Sequence, residues 1–181
     1  MATHATTPER AVTAHLVEHA RDGDPAALGT LYDAFGTGLF RLAYRLTGSR
    51  EDAEDVVHDV FVGLPEALER YEERGRLGAW LRRVTARVAL MRQRKWQRRR
   101  ETALDDAAEV AARPVTTSEH VALRAAIDAL PIALRNVLVL KELEGYSHAE
   151  VAELLGIGVV TSRVRLLRAL RRVRRQLEGE R

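Results

Sequence analysis

The sequence predicts an all-α protein of two small helical domains joined by a flexible linker, the second domain built around a helix-turn-helix. Three observations carry this prediction. Apolar residues recur every three or four positions along most of the chain. Ala, Leu, Arg and Glu dominate while aromatics make up only 5% of the residues, a composition that favours helix over strand. The periodicity then fails between Glu101 and Ser118, where Ala, Asp, Thr and the step Arg113-Pro114 predominate. A chain of 181 residues with 46% hydrophobic content supports one or two ordinary cores. The expected division is an N-terminal extension 1–23, a first domain 24–100, a linker 101–118, a second domain 119–178 and a tail 179–181.

The elements follow in order. Met1 to Thr7 is small and polar and is expected to fray, and Pro8 to Asp22 can form a helix. Asp24-Pro25 opens the next one, with Leu28, Leu31, Tyr32 and Phe35 at helical spacing. The pattern resumes with Leu39, Phe40, Leu42, Ala43 and Leu46 up to Thr47-Gly48, and Gly36 and Gly38 weaken the join. Ser49 and Asp52 offer a cap to a third helix, in which Ala53, Val56, Val57, Val60, Phe61 and Leu64 form a broad apolar face. Glu51, Asp55 and Asp59 run along another face, and Pro65 is expected to kink or end the helix. Past the polar loop Arg70 to Gly78, one face collects Leu77, Trp80, Leu81, Val84, Val88 and Met91, flanked by Arg83, Arg87 and Arg94. The phase of Trp80 assigns it to the core rather than to base stacking.

The C-terminal part carries the most specific pattern. A helix from Glu119 to Leu130 precedes Pro131, which suits a first helical turn, and Gly145 can take the left-handed conformation that ends a helix. Ser147 and Glu150 have capping-box spacing ahead of the apolar run Val151, Ala152, Leu154, Leu155, which stops at Gly156 and Gly158. A third helix from Thr161 to Leu177 carries Arg163, Arg165, Arg168, Arg171, Arg172, Arg174 and Arg175 with no Asp or Glu among them. Three helices in this order, the last basic, form a DNA-binding helix-turn-helix; the plain alternative is a solvated basic helix.

Charge is segregated along the rest of the chain as well. The formal net charge is only +3, yet Glu51, Asp52, Glu54, Asp55, Asp59, Glu66, Glu69, Glu72 and Glu73 crowd one stretch, and Arg76 to Arg100 contains no acid. Alternating blocks of this kind point to two kinds of partner. The absence of cysteine excludes disulfides and thiolate metal sites. No apolar run approaches membrane-spanning length and the N-terminus lacks an apolar signal core, so a cytoplasmic protein without membrane insertion is expected. His15-Leu16-Val17-Glu18-His19 has the spacing of a zinc-peptidase helix, but no companion segment supplies a further ligand, and the match is assigned to chance. His4, His58, His120 and His148 form no sequence cluster. With no phosphate loop and no nucleophile elbow, neither an enzyme nor a cofactor or metal site is expected.

Two separated blocks resemble one family. Leu31-Tyr32 through Arg41-Leu42-Ala43, then Ser49 to Phe61, then Leu77-Gly78-Ala79-Trp80-Leu81-Arg82-Arg83-Val84 resemble the first domain of extracytoplasmic-function sigma factors. Leu130 to Leu177 resembles their last domain, in the family's order and across its usual linker. The resemblance implies an RNA polymerase sigma subunit with core polymerase and promoter DNA as partners, an anti-sigma factor as a candidate third, and a monomeric free state. It implies that Asp52, Glu54, Asp55 and Asp59 dock on the clamp helices of the largest polymerase subunit. Carboxylates there would supply register and steering more than affinity.

It also implies that the loop Arg70 to Gly78 and the helix after it engage the downstream promoter element, through Arg76, Arg83, Arg87, Arg94 and Lys95. In the last domain it implies upstream-element contacts by Thr161, Ser162, Arg163, Arg165 and Arg168, with the helix Pro131 to Leu143 facing the polymerase flap. The linker resembles the segment that threads towards the RNA exit path.

The chain departs from the family pattern at several positions. Arg87 stands where Asn is frequent and Met91 where Asp is common, which puts downstream base recognition in question. His58 replaces a usual Gln, and Pro65 stands where an aromatic is frequent. Gly158, Val160, Ser162 and Val164 replace a typical Pro, Gly, Val and Ser, so the register of the recognition helix is open by a residue or two. Two other readings compete with a sigma factor. One is a stand-alone helix-turn-helix regulator, which would normally dimerise on paired half-sites; the other is a sigma-like protein that docks on polymerase without opening promoters.

Overall fold

The computed structural model describes residues 7–72, 76–102 and 119–179, and all regular structure among them is helical. Most of the expected linker, the first residues, the last two, and the middle of the loop between Arg70 and Gly78 lie outside the described residues. By compactness the chain divides into residues 1–92 and 93–181, so the last turns of the fifth helix group with the second unit.

The first unit contains α1 (Thr7–Arg21), α2 (Pro25–Thr47), α3 (Arg50–Val62), α4 (Leu64–Leu68) and the start of α5 (Leu77–Thr102). α2 begins where Asp24 accepts a hydrogen bond from the Ala26 amide at 3.0 Å and ends at Gly48, whose φ of 77° is the left-handed stop that glycine takes most easily. Gly36 and Gly38 do not interrupt it. Two interior glycines cost about 1 kcal/mol each relative to alanine, and burial of Leu31, Leu39, Leu42 and Leu46 along the same helix offsets that. Gly36 also lies under the Tyr32 ring, which a Cβ there would approach to 3.4 Å.

Ser49 caps α3 by accepting from the Asp52 amide, and Ala53, Val56, Val57 and Val60 are buried. Pro65 sits in the first turn of α4, where its missing amide costs nothing, so the chain breaks at Gly63 and restarts rather than bending through the proline.

The extension expected before residue 24 is part of this core. Val17 and Ala20 of α1 are buried with Leu31, Val60, Leu64, Leu68 and Leu81. Arg21 reaches across to donate Nε to the Leu68 carbonyl at 3.1 Å and Nη2 to the Tyr71 carbonyl at 3.3 Å. Those carbonyls lie at and just past the end of α4, where backbone acceptors lack intrahelical donors. Trp80 packs against this core with its ring tilted on Tyr71, centroids 4.8 Å apart, as its phase predicted. Met91 breaks the prediction: it is 66% exposed. Ala86, Ala89 and Leu90 take the buried line instead, because the packed face of α5 turns away from the Met91 position by its last described turns.

The second unit contains α6 (Glu119–Asp128), α7 (Ile132–Leu138), α8 (His148–Leu155) and α9 (Val159–Gly179) around Ala126, Leu130, Leu138, Ala169 and Val173. α7 widens at its end into one turn of i→i+5 bonding, Val139–Leu143, with the Glu144 amide donating to the Val139 carbonyl at 3.0 Å. Gly145 follows with φ of 75°.

Candidate functional site

On the first unit, α3 presents Glu51, Glu54, Asp55 and Asp59 outward, with Asp52 half-buried. These carboxylates are not equivalent. Glu54 accepts from Arg50 Nε at 2.7 Å, an exposed i,i+4 pair. Asp55 and Asp59, one turn apart, are bridged by Arg92 of α5: Nη1 lies 2.8 Å from Asp55 Oδ2, and both Nε and Nη2 lie 2.8 Å from Asp59 Oδ2. The hydrogen bond to Asp59, supported by that to Asp55, raises the Arg92 pKa above its ordinary value, partly opposed by burial. Two of the four carboxylates expected to meet an outside partner are therefore already engaged in fixing α5 against α3. Sequence reasoning missed Arg92, because its partners lie 33 and 37 residues away and no local spacing links them.

The basic residues expected on α5 are spread around it. Arg83 is half-buried and Arg87 exposed, and Arg76 is exposed just before the helix. Arg94 and Lys95 are exposed and fall in the second unit, where Arg94 Nη2 donates to the Leu154 carbonyl at 2.6 Å. Thr85, inside this basic helix, is fully buried and returns its hydroxyl to the Leu81 carbonyl at 2.9 Å.

In the second unit the helix-turn-helix is built as its capping pattern predicts. Ser147 Oγ accepts from the Glu150 amide at 3.2 Å while Glu150 Oε2 accepts from the Ser147 amide at 2.8 Å, a reciprocal capping box. Gly156, with φ of 66°, closes α8, and α9 begins at Val159, two residues before the expected Thr161. Which residues point out is set by the packed side of the helix, a line through Ser162, Ala169 and Val173. Ser162, expected among the DNA contacts, is fully buried, and its Oγ lies 2.9 Å from His148 Nδ1. It ties the start of α9 to the start of α8 and cannot reach a base edge from there. His148, without a sequence cluster, gains its partner only in the fold.

Thr161, Arg163 and Arg168 are exposed on α9, and Arg165 is half-buried on a flank. Between them, at the centre of the outward face, stand Val160 and Val164, which the sequence marks only as departures from a pattern, and Leu167, which it does not single out.

Comparison with known proteins agrees with this architecture. The sigma-70 region 2 family model matches residues 31–100, and the sigma-70 region 4 model matches residues 120–173, together well over half of the chain. The ECF RNA polymerase sigma factor SigE of Mycolicibacterium smegmatis is 31% identical over 163 residues, 84% of this chain and 63% of that protein. SigM of Mycobacterium tuberculosis, also an ECF sigma factor, is 28% identical over 155 residues, covering 86% of this chain and 79% of the relative. The ECF sigma factor SigW of Bacillus subtilis is 27% identical over 180 residues, 89% and 94% of the two chains.

Among solved structures, CnrH in complex with the cytosolic domain of CnrY aligns with TM-score 0.56 at 26% identity, over 92% of this chain and 97% of that one. The sigma factor RpoE of Bartonella quintana, solved with the anti-sigma factor NepR, aligns with TM-score 0.60 at 23% identity over 80% and 92%, a likeness of fold. No described helix is long and apolar enough to cross a membrane. Region 2 and region 4 matches in this order, on a helical unit with an acid-bearing α3 and on a helix-turn-helix unit, place the chain in the sigma-70 family, as an RNA polymerase sigma factor of the extracytoplasmic-function group and hence a non-enzymatic initiation factor.

Proposed function

We propose that the two units divide the work of promoter recognition between them. The first docks on the clamp helices of core polymerase through the acidic face of α3 and engages the downstream element through α5 and the loop before it. The second reads the upstream element with α9 and faces the polymerase flap with α7. The observation that carries this reading is the charge arrangement of the first unit: carboxylates on α3 stand beside α5, which has no acid before Glu101, and Arg92 joins the two. A stand-alone regulator has no use for such a docking face beside a basic helix. Asp52 and Glu51, which do not bridge to α5, are the carboxylates best placed for first contact, with Asp55 and Asp59 shared between partner and Arg92.

The free chain is proposed to be a cytoplasmic monomer. Because CnrH and RpoE were solved with CnrY and the anti-sigma factor NepR, an anti-sigma antagonist is proposed here too. The competing reading, a sigma-like protein that docks without opening promoters, draws on the exposure of Met91 and Arg87 at the positions where the family pattern is broken.

One reconstitution separates the readings. Core polymerase with this chain should initiate from a matched promoter, and Asp52→Arg should lower both core binding and initiation, more so at low salt. Stable binding without initiation favours the non-opening reading. A tight footprint by free protein, without polymerase, favours the regulator.

A further inference from the structure

The outward face of α9 is not uniformly basic. Its buried line runs through Ser162, Ala169 and Val173. On the opposite side, at spacings of four and three residues, stand Val160, Val164 and Leu167, which are 71%, 41% and 50% exposed. At about 100° per residue these three form one stripe along the helix. Thr161 and Arg168 flank it on one side and Arg163 and Arg174 on the other, all exposed.

An aliphatic stripe in water gains nothing for the domain, whose core closes without it. The flanks indicate what covers it. From Thr161 to Leu177 there is no acid, so both rims are of one sign and suit a polyanion, whereas a helix of another protein would have to be acidic on both sides of its apolar seam. The major groove of duplex DNA meets both conditions, with phosphates along its edges and the C5-methyl groups of thymine on its floor.

Resting on the reading that α9 enters the major groove at the upstream element, we propose that Val160 and Val164 read thymine methyl groups there, while the flanking arginines hold the backbone. Both valines lie in the first two turns of α9, the part of a recognition helix that approaches base edges. Four residues of helix advance about 6 Å, against about 3.4 Å per step along one DNA strand. The two side chains therefore address methyls on neighbouring or next-neighbouring base pairs. A valine has no hydrogen bond to offer, so it distinguishes thymine from cytosine by the methyl alone. This assigns base discrimination to residues that carry no charge and confines Arg163 and Arg168 largely to attachment.

The test uses reconstituted holoenzyme and a promoter selected from a library with a randomised upstream element. Each thymine of the selected element is replaced in turn by deoxyuridine, which deletes the methyl and leaves the base-pairing face unchanged. Wild-type holoenzyme should lose about fourfold in binding at one or two of these positions, the value of one buried methyl at about 0.8 kcal/mol. Holoenzyme carrying Val160→Ala with Val164→Ala should be indifferent to the same replacements. The double variant changes exposed positions on a helix to a better helix former, and an unchanged melting curve shows that it folds.

Equal sensitivity of wild type and variant overturns the proposal, as does a selected element with no two thymines, on either strand, at neighbouring or next-neighbouring base pairs. Loss of binding to a protein antagonist, with deoxyuridine sensitivity intact, also overturns it and gives the stripe to that partner. Failure of the holoenzyme to depend on any upstream sequence is a different result, and it refutes the underlying assignment of α9 to the groove.

Discussion

Removing Arg92 separates two roles open to the same carboxylates, meeting a partner and holding α5 against α3. Its side chain is about two-thirds buried, and the guanidinium makes three short contacts with Asp55 and Asp59, whose side chains are about half exposed. A fully exposed ion pair contributes about 0.2–1 kcal/mol, and two such pairs on one partly buried, forked donor should couple by about 1–2 kcal/mol. For a unit of 92 residues, each 1 kcal/mol shifts the melting temperature by about 4–8 °C.

Arg92→Ala should therefore lower the first thermal transition by about 5–15 °C, with the difference shrinking in high salt. A cycle with Asp59→Ala should be strongly non-additive. The raised pKa of Arg92 keeps the guanidinium charged up to and beyond the ordinary arginine value, so no loss is expected on moving from neutral to mildly alkaline solution. Core polymerase binding by the same variants supplies the second measurement. If Asp55 and Asp59 dock directly, Arg92→Ala binds core no more weakly than wild type, because it frees two carboxylates. If they act by holding α5, Arg92→Ala, Asp55→Ala and Asp59→Ala weaken binding alike. Additive melting temperatures in the Arg92–Asp59 cycle would refute the clamp itself.

Three more outcomes follow from the fold. Ser162→Ala should destabilise the second unit by about 1–3 kcal/mol by leaving His148 Nδ1 without its partner; loss of DNA affinity with an unchanged melt would contradict the buried placement. Deleting residues 1–23 should destabilise the first unit, and Arg21→Ala should reproduce about 1.5–3 kcal/mol of that loss through the Leu68 and Tyr71 carbonyls. A truncated chain that melts like the full one would return α1 to the status of an extension. Arg168→Ala should lower the salt slope of upstream-element binding by about one while affecting all sequences alike, and a change in base preference would instead make it a reader.

The elements and caps were legible because they are local. Asp24-Pro25, Ser49, Ser147 with Glu150, Gly48 and Gly156 each specify a helix end within four residues, and each end falls where those residues put it. What the sequence hid is what depends on packing. Gly36 and Gly38 look like a break until the burial of leucines on both sides is counted, and Pro8 to Asp22 looks detached until Arg21 is seen bonded to carbonyls 47 and 50 residues away. Met91 falls on the apolar phase set by Leu77 and Leu81, but by that point the packed face has rotated to Ala86, Ala89 and Leu90.

The candidate site shows the same division more sharply. Charge blocks marked α3 and α5 as candidate surfaces, since acid-free and acid-rich runs survive any choice of register. They could not announce that Arg92 spends its charge on Asp55 and Asp59, because that pairing is fixed by where α5 lies on α3 and not by any spacing along the chain. On α9 the basic run marks the helix but not the side that packs, which is set by Ser162, Ala169 and Val173 against the domain core. Two residues turn a helix by about 200°, so Val160 and Val164 lie on the far side from Ser162. With Ser162 inward, Val160 and Val164 stand outward, and the residues that first looked like departures from a family pattern are the ones at the centre of the exposed face of α9.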